Sequence, residues 1–235
     1  MPARKAKQVG KKPIALMTCA HVGLLEFAVN FRNPVMRSIY KAREVRRAHY
    51  LESVERIVSY GSFFEKIYLV ECVGGQLPRY LANSPGCLHG VSRNSLDCSN
   101  KGIQEFVNIA NFLEKTTLDD EDLVLKITGR YLLNRADFLE FCRTSPADAV
   151  VKRDSDIWGE KGKGVHTFLF AARKRVIVGF SKWLLEGERF RAFGTIPVEW
   201  FFYDYLVNSA WDITLYPDKL HVTARYAPPL TAFEA

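Results

Sequence analysis

The chain has 235 residues, with 33 Lys and Arg against 26 Asp and Glu and a formal charge of +7. Hydrophobic residues make up 48% and charged residues 25%, the balance of a folded globular protein rather than a disordered one. That length is ample for a real core, and no run approaches the ~20 apolar residues a membrane-spanning helix needs.

The charge is unevenly placed. Residues 1–12 hold Arg4, Lys5, Lys7, Lys11 and Lys12 and no acid, so they read as a basic flexible tail and the body is close to neutral. Residues 13–20 read as a buried first strand, short, apolar and ending in small or polar residues. It leads to His21 rather than to a cleavage site, so no secretory signal is expected. Residues 41–60 are helical in pattern, with Val45, Ala48, Leu51, Val54 and Ile57 three to four apart. A second strand is predicted at 67–73, closed by Gly74 and Gly75, then a polar stretch at 76–98 with weak β character at Leu88–Val91. Ser99 or Asn100 can cap a helix carrying Ile103, Phe106, Val107, Ala110 and Leu113 on one face.

An acidic turn at 119–122 precedes a strand at 123–127, and Phe138, Leu139 and Phe141 suggest a short helix. Ala149–Val151 is a short strand, and 159–164 a Gly/Lys loop. Residues 165–170 and 175–180 read as two further strands forming a hairpin. Pro197 suits the first turn of a helix running to about Asn208, and alternation over 212–226 around Pro217-Asp218 predicts a terminal β pair. Strand and helix alternate at first and give way to a β-rich half. That order predicts an α/β fold: a mostly parallel sheet flanked by helices, with antiparallel additions in the C-terminal half. No repeat or linker divides it, so residues 13–235 are expected to form a single domain. The five cysteines are scattered with no C-x-x-C pair, which fits reduced thiols in the cytoplasm better than a disulfide framework.

Most chemical motifs fail on inspection. Gly159-Glu160-Lys161-Gly162-Lys163-Gly164 has the glycines of a phosphate loop, but Val165-His166 stands where Lys-Ser/Thr should follow. Gly179-Phe180-Ser181-Lys182-Trp183 lacks the second glycine of a hydrolase elbow. Three segments remain. Asn100-Lys101-Gly102-Ile103-Gln104-Glu105 opens a helix, where exposed amides and a lysine offer an anion site or simply a cap. Lys126-Ile127-Thr128-Gly129-Arg130-Tyr131 closes an apolar strand, at the sheet edge where open α/β proteins bind ligands. A lysine inside such a strand is costly unless its head finds a partner or water. Arg130 offers a planar fork to diphosphate oxygens, or pairs with an acid such as Glu105 or Asp122. In Arg153-Asp154-Ser155-Asp156 two carboxylates two residues apart can hold a divalent ion, or mark a solvated turn.

Taken in order, these segments resemble GT-A type glycosyltransferases that use nucleotide sugars, particularly the small divergent ones of polysaccharide synthesis in bacteria and large viruses. The resemblance spans about residues 13–228 and rests on the strand ending Thr18-Cys19-Ala20, the N-K-G-x-x-E helix start, the K-I-T-G-R-Y strand end and the late Pro-Val-Glu-Trp helix. It implies a nucleotide-sugar donor, a glycan or lipid-linked acceptor, and donor contacts at Thr18, Lys101, Lys126, Arg130 and Tyr131. It also implies a catalytic base at Glu199, with Asp156 as its rival. In that family the strand at 123–127 usually ends in an acidic D-x-D holding manganese or magnesium, whereas this chain carries Lys126 and Arg130 there. Cations then neutralise the leaving diphosphate directly, or Asp154 and Asp156 hold Mn²⁺ or Mg²⁺ from a neighbouring loop. Two other readings stay open. One is a non-catalytic nucleic-acid-binding protein, for which Arg43, Arg46 and Arg47 are the body's best cations. The other is a nucleotidyltransferase, which usually carries a Gly-rich loop with Arg and Lys after the first strand, unlike Cys19-Ala20-His21-Val22-Gly23. With most surplus charge in the tail, no specific nucleic-acid contact is expected of the body, and the tail is suited to peripheral contact with anionic membrane.

Overall fold

The computed structural model of the chain describes residues 11–19, 34–72, 76–154, 164–192, 196–224 and 233–234. The tail up to residue 10, Gly74 and Gly75, Asp156 and the Gly/Lys loop at 159–163 lie outside the described residues. The chain opens with β1 (Ile14–Cys19), α1 (Pro34–Ser59), β2 (Lys66–Glu71), α2 (Arg79–Ala82) and β3 (Leu88–Val91). Next come α3 (Lys101–Glu114), β4 (Leu123–Thr128), β5 (Leu132–Leu133), α4 (Asp137–Thr144), β6 (Ala149–Val151) and β7 (Arg153–Asp154). The second half adds β8 (Gly164–Val165), β9 (Leu169–Arg173), α5 (Lys174–Leu185), α6 (Arg189–Ala192) and α7 (Val198–Asn208), then β10 (Ile213–Leu215), β11 (Val222–Ala224) and β12 (Phe233–Glu234).

Seven strands form the main sheet in the order β10-β6-β9-β4-β1-β2-β3. β3, β2, β1 and β4 are parallel neighbours, β9 runs antiparallel to both β4 and β6, and β10 is parallel to β6. The predicted mostly parallel α/β sheet with antiparallel additions is thus present. A strand buried on both faces must be apolar throughout, and β1 is buried at all six positions. Its side chains alternate between two cores. Ala15, Met17 and Cys19 pack with Tyr50, Val54 and Ile57 of α1 and Phe138 and Leu139 of α4. Ile14 and Leu16 face Ile103, Phe106 and Ile109 of α3, Phe180 of α5 and Phe202 of α7. Phe106 lies 5.7 Å from Phe170, 4.8 Å from Phe180 and 4.9 Å from Phe202, ring centroid to centroid. Contacts of this kind contribute about 1 kcal/mol each beyond area burial, and they fix α3 and α7 against β9.

Two sequence expectations are corrected. Residues 175–180 form no strand and no hairpin; they belong to α5, whose buried Val176, Ile177, Phe180, Ser181 and Leu184 recur at helical spacing. The strand before it, β9, ends at Arg173, and Lys174 turns the chain off the sheet with its ammonium donating to the Leu118 carbonyl at 2.7 Å. The predicted terminal pair also separates. β10 joins β6 in the main sheet, whereas β11 lies between β5 and β12 in a small antiparallel sheet. The helix at 41–60 begins earlier, at Pro34, and α2 lies in the polar stretch at 76–98, where no helix was expected.

Candidate active site

A cleft of about 460 Å³ opens at the C-terminal ends of β1 and β4. The two strands are in register from Ile14 opposite Val124 to Thr18 opposite Thr128, so their polar ends meet at one level. Gly129 follows. A Cβ there would lie 2.8 Å from the Thr18 carbonyl and 2.9 Å from the Tyr50 ring, so only glycine lets the chain pass between β1 and α1. The Gly129 amide donates to that carbonyl at 2.8 Å, which aims Arg130 and Tyr131 into the cleft. Tyr131 stacks on Phe168 at 4.7 Å and 7° between planes, forming an aromatic floor.

The other side is built by two helix starts. Asn100 caps α3: its Oδ1 accepts from the Gly102 and Ile103 amides at 3.0 and 3.2 Å. Its Nδ2 donates to the Ile196 carbonyl at 2.8 Å, tying α3 to the approach of α7. The capping alternative read from the N-K-G segment is therefore present, and the side chain occupies two of the amides an anion would use. Lys101, exposed at the first position of α3, lines the cleft. On α7, which begins one residue after Pro197, Glu199 accepts a hydrogen bond from the Thr167 hydroxyl at 2.7 Å. Gly164 of β8 runs against this turn: a Cβ would meet Trp200 at 2.9 Å and the Glu199 Cβ at 3.3 Å. Glu199 also borders a second hollow of about 450 Å³ lined by Asn100, Gly102, Ile196, Pro197, Val198 and Trp200.

Lys126 resolves the question its sequence position raised. It points to the α3 face of the sheet, 1% exposed, and its ammonium lies beneath the cleft rather than in it. The nitrogen donates to the Thr128 hydroxyl and the Thr167 carbonyl, each at 2.7 Å, and stands 3.1 Å from Glu105 Oε1. Three N–H groups meet three oxygens, which offsets the cost of burying the charge. Glu105 Oε1 also accepts from the Thr18 hydroxyl at 2.5 Å. The diphosphate contact inferred for Lys126 is thus replaced by an internal one: its charge organises the floor and is spent on protein oxygens.

Of the other candidate residues, Thr18, Lys101, Arg130, Tyr131 and Glu199 all line the cleft. Asp154 does not; it is buried in β7, paired with Gly164 of β8, and Asp156 lies outside the described residues. Arg46, Tyr50, Thr167 and Phe168 line the cleft and carried no local signal for it, since they arrive from α1 and from the two residues just before β9. Of the acids considered as partners for Arg130, Glu105 pairs with Lys126 and Asp122 with Lys11 at 2.5 Å, and the Arg130 guanidinium lies over the Tyr131 ring, 5.5 Å from its centroid. Cys19 and Cys72 also reach the cleft. Burial, reinforced by the nearby Glu71 and Glu105, pushes both thiols up, which favours their protonated form.

The divalent ion implied by the resemblance to GT-A enzymes does not fit this strand end. Hard cations need converging carboxylates, and β4 presents an ammonium, a hydroxyl and, two residues on, a guanidinium. Among the described residues no group of three or more His, Cys, Asp or Glu gathers as a ligand set.

No protein-family model matches the chain, and no curated protein matches it in sequence. Solved structures do match in fold. The inositol-1-phosphate CTP transferase from T. maritima superposes with a TM-score of 0.54 at 15% identity, covering 89% of this chain and 86% of that one. HddC from Yersinia pseudotuberculosis, complexed with GMP-PN, gives 0.50 at 12% identity over 89% and 92% of the two chains. The galactosyltransferase LgtC, with donor and acceptor sugar analogues, gives 0.49 at 10% identity over 86% and 72%. The chain therefore has a GT-A-like α/β fold, shared with the CTP transferase from T. maritima and with HddC.

Proposed function

We propose that the chain is a glycosyltransferase that moves a sugar from a nucleotide-sugar donor to the hydroxyl of a glycan or lipid-linked acceptor. The observation that carries this reading is the convergence of Arg46, Lys101 and Arg130 with the carboxylate of Glu199 on one cleft at the ligand-binding edge of the sheet. In the proposed step the acceptor oxygen bonds to the anomeric carbon and gives its proton to Glu199. The bond from that carbon to the diphosphate breaks, and the departing nucleoside diphosphate keeps the electron pair. Charge grows on the diphosphate as the bond breaks, so preorganised cations stabilise the transition state more than the ground state. Glu199 is suited to receive the proton because Thr167 fixes one oxygen and leaves the other for the acceptor.

Nucleotidyl transfer is the second reading, supported by the CTP transferase of T. maritima among the fold relatives. Against it stands the segment after β1, which lacks a Gly-rich loop with Arg and Lys. One experiment separates them: incubation with a panel of nucleotide sugars, with and without Mn²⁺, assayed for free nucleoside diphosphate. A parallel incubation with nucleoside triphosphates and sugar phosphates is assayed for pyrophosphate. Diphosphate release, with affinity for that diphosphate falling about tenfold or more in Arg130→Ala and Lys101→Ala, is expected. Pyrophosphate release alone overturns glycosyl transfer, and unchanged affinity in both variants overturns the site.

A further inference from the structure

Below the cationic rim, the cleft floor presents two oxygens whose bonding roles are fixed by Lys126. A lysine ammonium only donates, so Thr128 Oγ1 accepts from it at 2.7 Å and must spend its own proton on something else. Thr128 is partly exposed and lines the cleft, where that proton is presented. The converse holds for Glu105. Its Oε1 receives both the Thr18 hydroxyl at 2.5 Å and Lys126 at 3.1 Å, and a carboxylate brings only acceptor oxygens to the cleft that the residue lines. The Thr128 hydroxyl and the Glu105 carboxylate thus bind the same ammonium nitrogen, Oγ1 at 2.7 Å and Oε1 at 3.1 Å, and both residues line the cleft.

The pair is a poor receptor for phosphate. The Lys126 charge beneath it is balanced by Glu105, and a carboxylate oxygen facing the ligand repels an anion. Its complement is a neutral group that accepts from Thr128 and donates to Glu105, which two neighbouring hydroxyls do at once. We propose that Glu105 and Thr128, coupled through Lys126, form a recognition site for a vicinal diol, while Arg46, Lys101 and Arg130 above take the diphosphate. This assignment rests on the proposed nucleotide-sugar reading and sharpens it: two adjacent hydroxyls of the donor, on its ribose or its sugar ring, are read by the floor of the site.

Calorimetric titration tests it, with UDP, 2′,3′-dideoxy-UDP and UDP-glucose, and with the matching guanosine diphosphate series in parallel. Glu105→Gln strips the buried ammonium of its counter-ion and endangers the fold, so Thr128→Val, which keeps the shape and removes the hydroxyl, carries the test. If ribose supplies the diol, wild-type protein binds the ribonucleotide on the order of tenfold more tightly than the dideoxy form. Thr128→Val erases that preference and Thr128→Ser restores it. If the sugar ring supplies it, the two diphosphates bind alike, the nucleotide sugar binds more tightly than either, and Thr128→Val erases that difference instead. Either pattern supports the pair. Wild-type affinity for all three probes in Thr128→Val, or an equal loss for all three, overturns it while leaving glycosyl transfer standing. A wild-type protein that binds no nucleoside diphosphate overturns both.

Discussion

The two ends of the central sheet bury charge in different ways. At the end away from the cleft, the start of β4 and the end of β9 are tied by ions drawn from several elements. Asp148, fully buried, accepts from Arg175 at 2.5 Å and from the Asp212 amide at 3.0 Å. Arg173 donates to the Glu121 carbonyl at 2.5 Å, Arg175 also pairs with Glu121, and Lys11 holds Asp122. These charges face one another, and their work is to fasten the chain just before β1 to the β4–β9 edge. At the cleft end Lys126 is as deeply buried, yet it arranges Glu105, Thr128 and Thr167, each of which also lines the cleft. One network closes on itself and serves the fold. The other is left open on one side, and that side is where chemistry can happen.

The contrast is broken most sharply by Asp148→Ala. Asp148 is fully buried between Arg175 and Arg173, and its loss leaves both guanidinium groups to Glu121 alone among the acids paired with them here; a stability loss of about 3–5 kcal/mol in urea unfolding is expected. A loss under 1 kcal/mol means the closed network is not what fastens that edge. Lys126→Met comes next, at roughly 1–3 kcal/mol, less because Glu105 is partly exposed and can rehydrate. Unlike Asp148→Ala it is also expected to weaken nucleoside-diphosphate binding at least about tenfold. Equal affinity for the folded variant and the wild type refutes the organising role.

A pH series sharpens the comparison further. Burial lowers the His166 imidazole below its ordinary value of 6.5, against the opposing charge of Asp154. Above that value the ring is neutral folded and unfolded alike. As pH falls through it, the unfolded chain takes up a proton that the folded one resists, so stability declines. Between pH 7.5 and 5.5 the melting temperature of wild type is expected to drop more than that of His166→Gln, and parallel curves contradict the assignment. The smallest effect belongs to Lys11→Ala. Its side chain is 36% exposed, and a solvent-screened pair of this kind contributes about 0.5 kcal/mol, measurable as a slightly lower urea midpoint that high salt removes.

Much of this architecture was legible where it is local. The Asn100 cap, the apolar strands β1 and β4 and the glycine after β4 are each dictated by a few neighbouring residues. Where the sequence misled, the deciding partner was distant. Val176-Ile177-Val178 is β-branched and short, and a run of that kind does not separate strand from helix; the facing α3 and α7 settle it as helix. The alternation at 212–226 correctly marks strands at β10 and β11 but cannot say that they join different sheets. At the site, Lys126 and Arg130 were singled out by the cost of charge at a strand end. That one would be internal and the other would line the cleft depended on Glu105 of α3 lying over β4. Arg46, read as a candidate nucleic-acid contact, lines the cleft because α1 packs beside Gly129 through Tyr50.

Gly164 has a consequence for anyone altering this protein by random substitution. It carries no chemistry, yet the bare backbone at this position is the wall against which the first turn of α7 rests. A single methyl group there would crowd the Trp200 side chain and press on the Cβ of Glu199, whose carboxylate accepts from Thr167. A screen scored on turnover would therefore flag residue 164 as intolerant of every replacement, while one scored on soluble expression would pass over it. Disagreement between two such screens is how a steric backstop, as opposed to a reacting group, makes itself known.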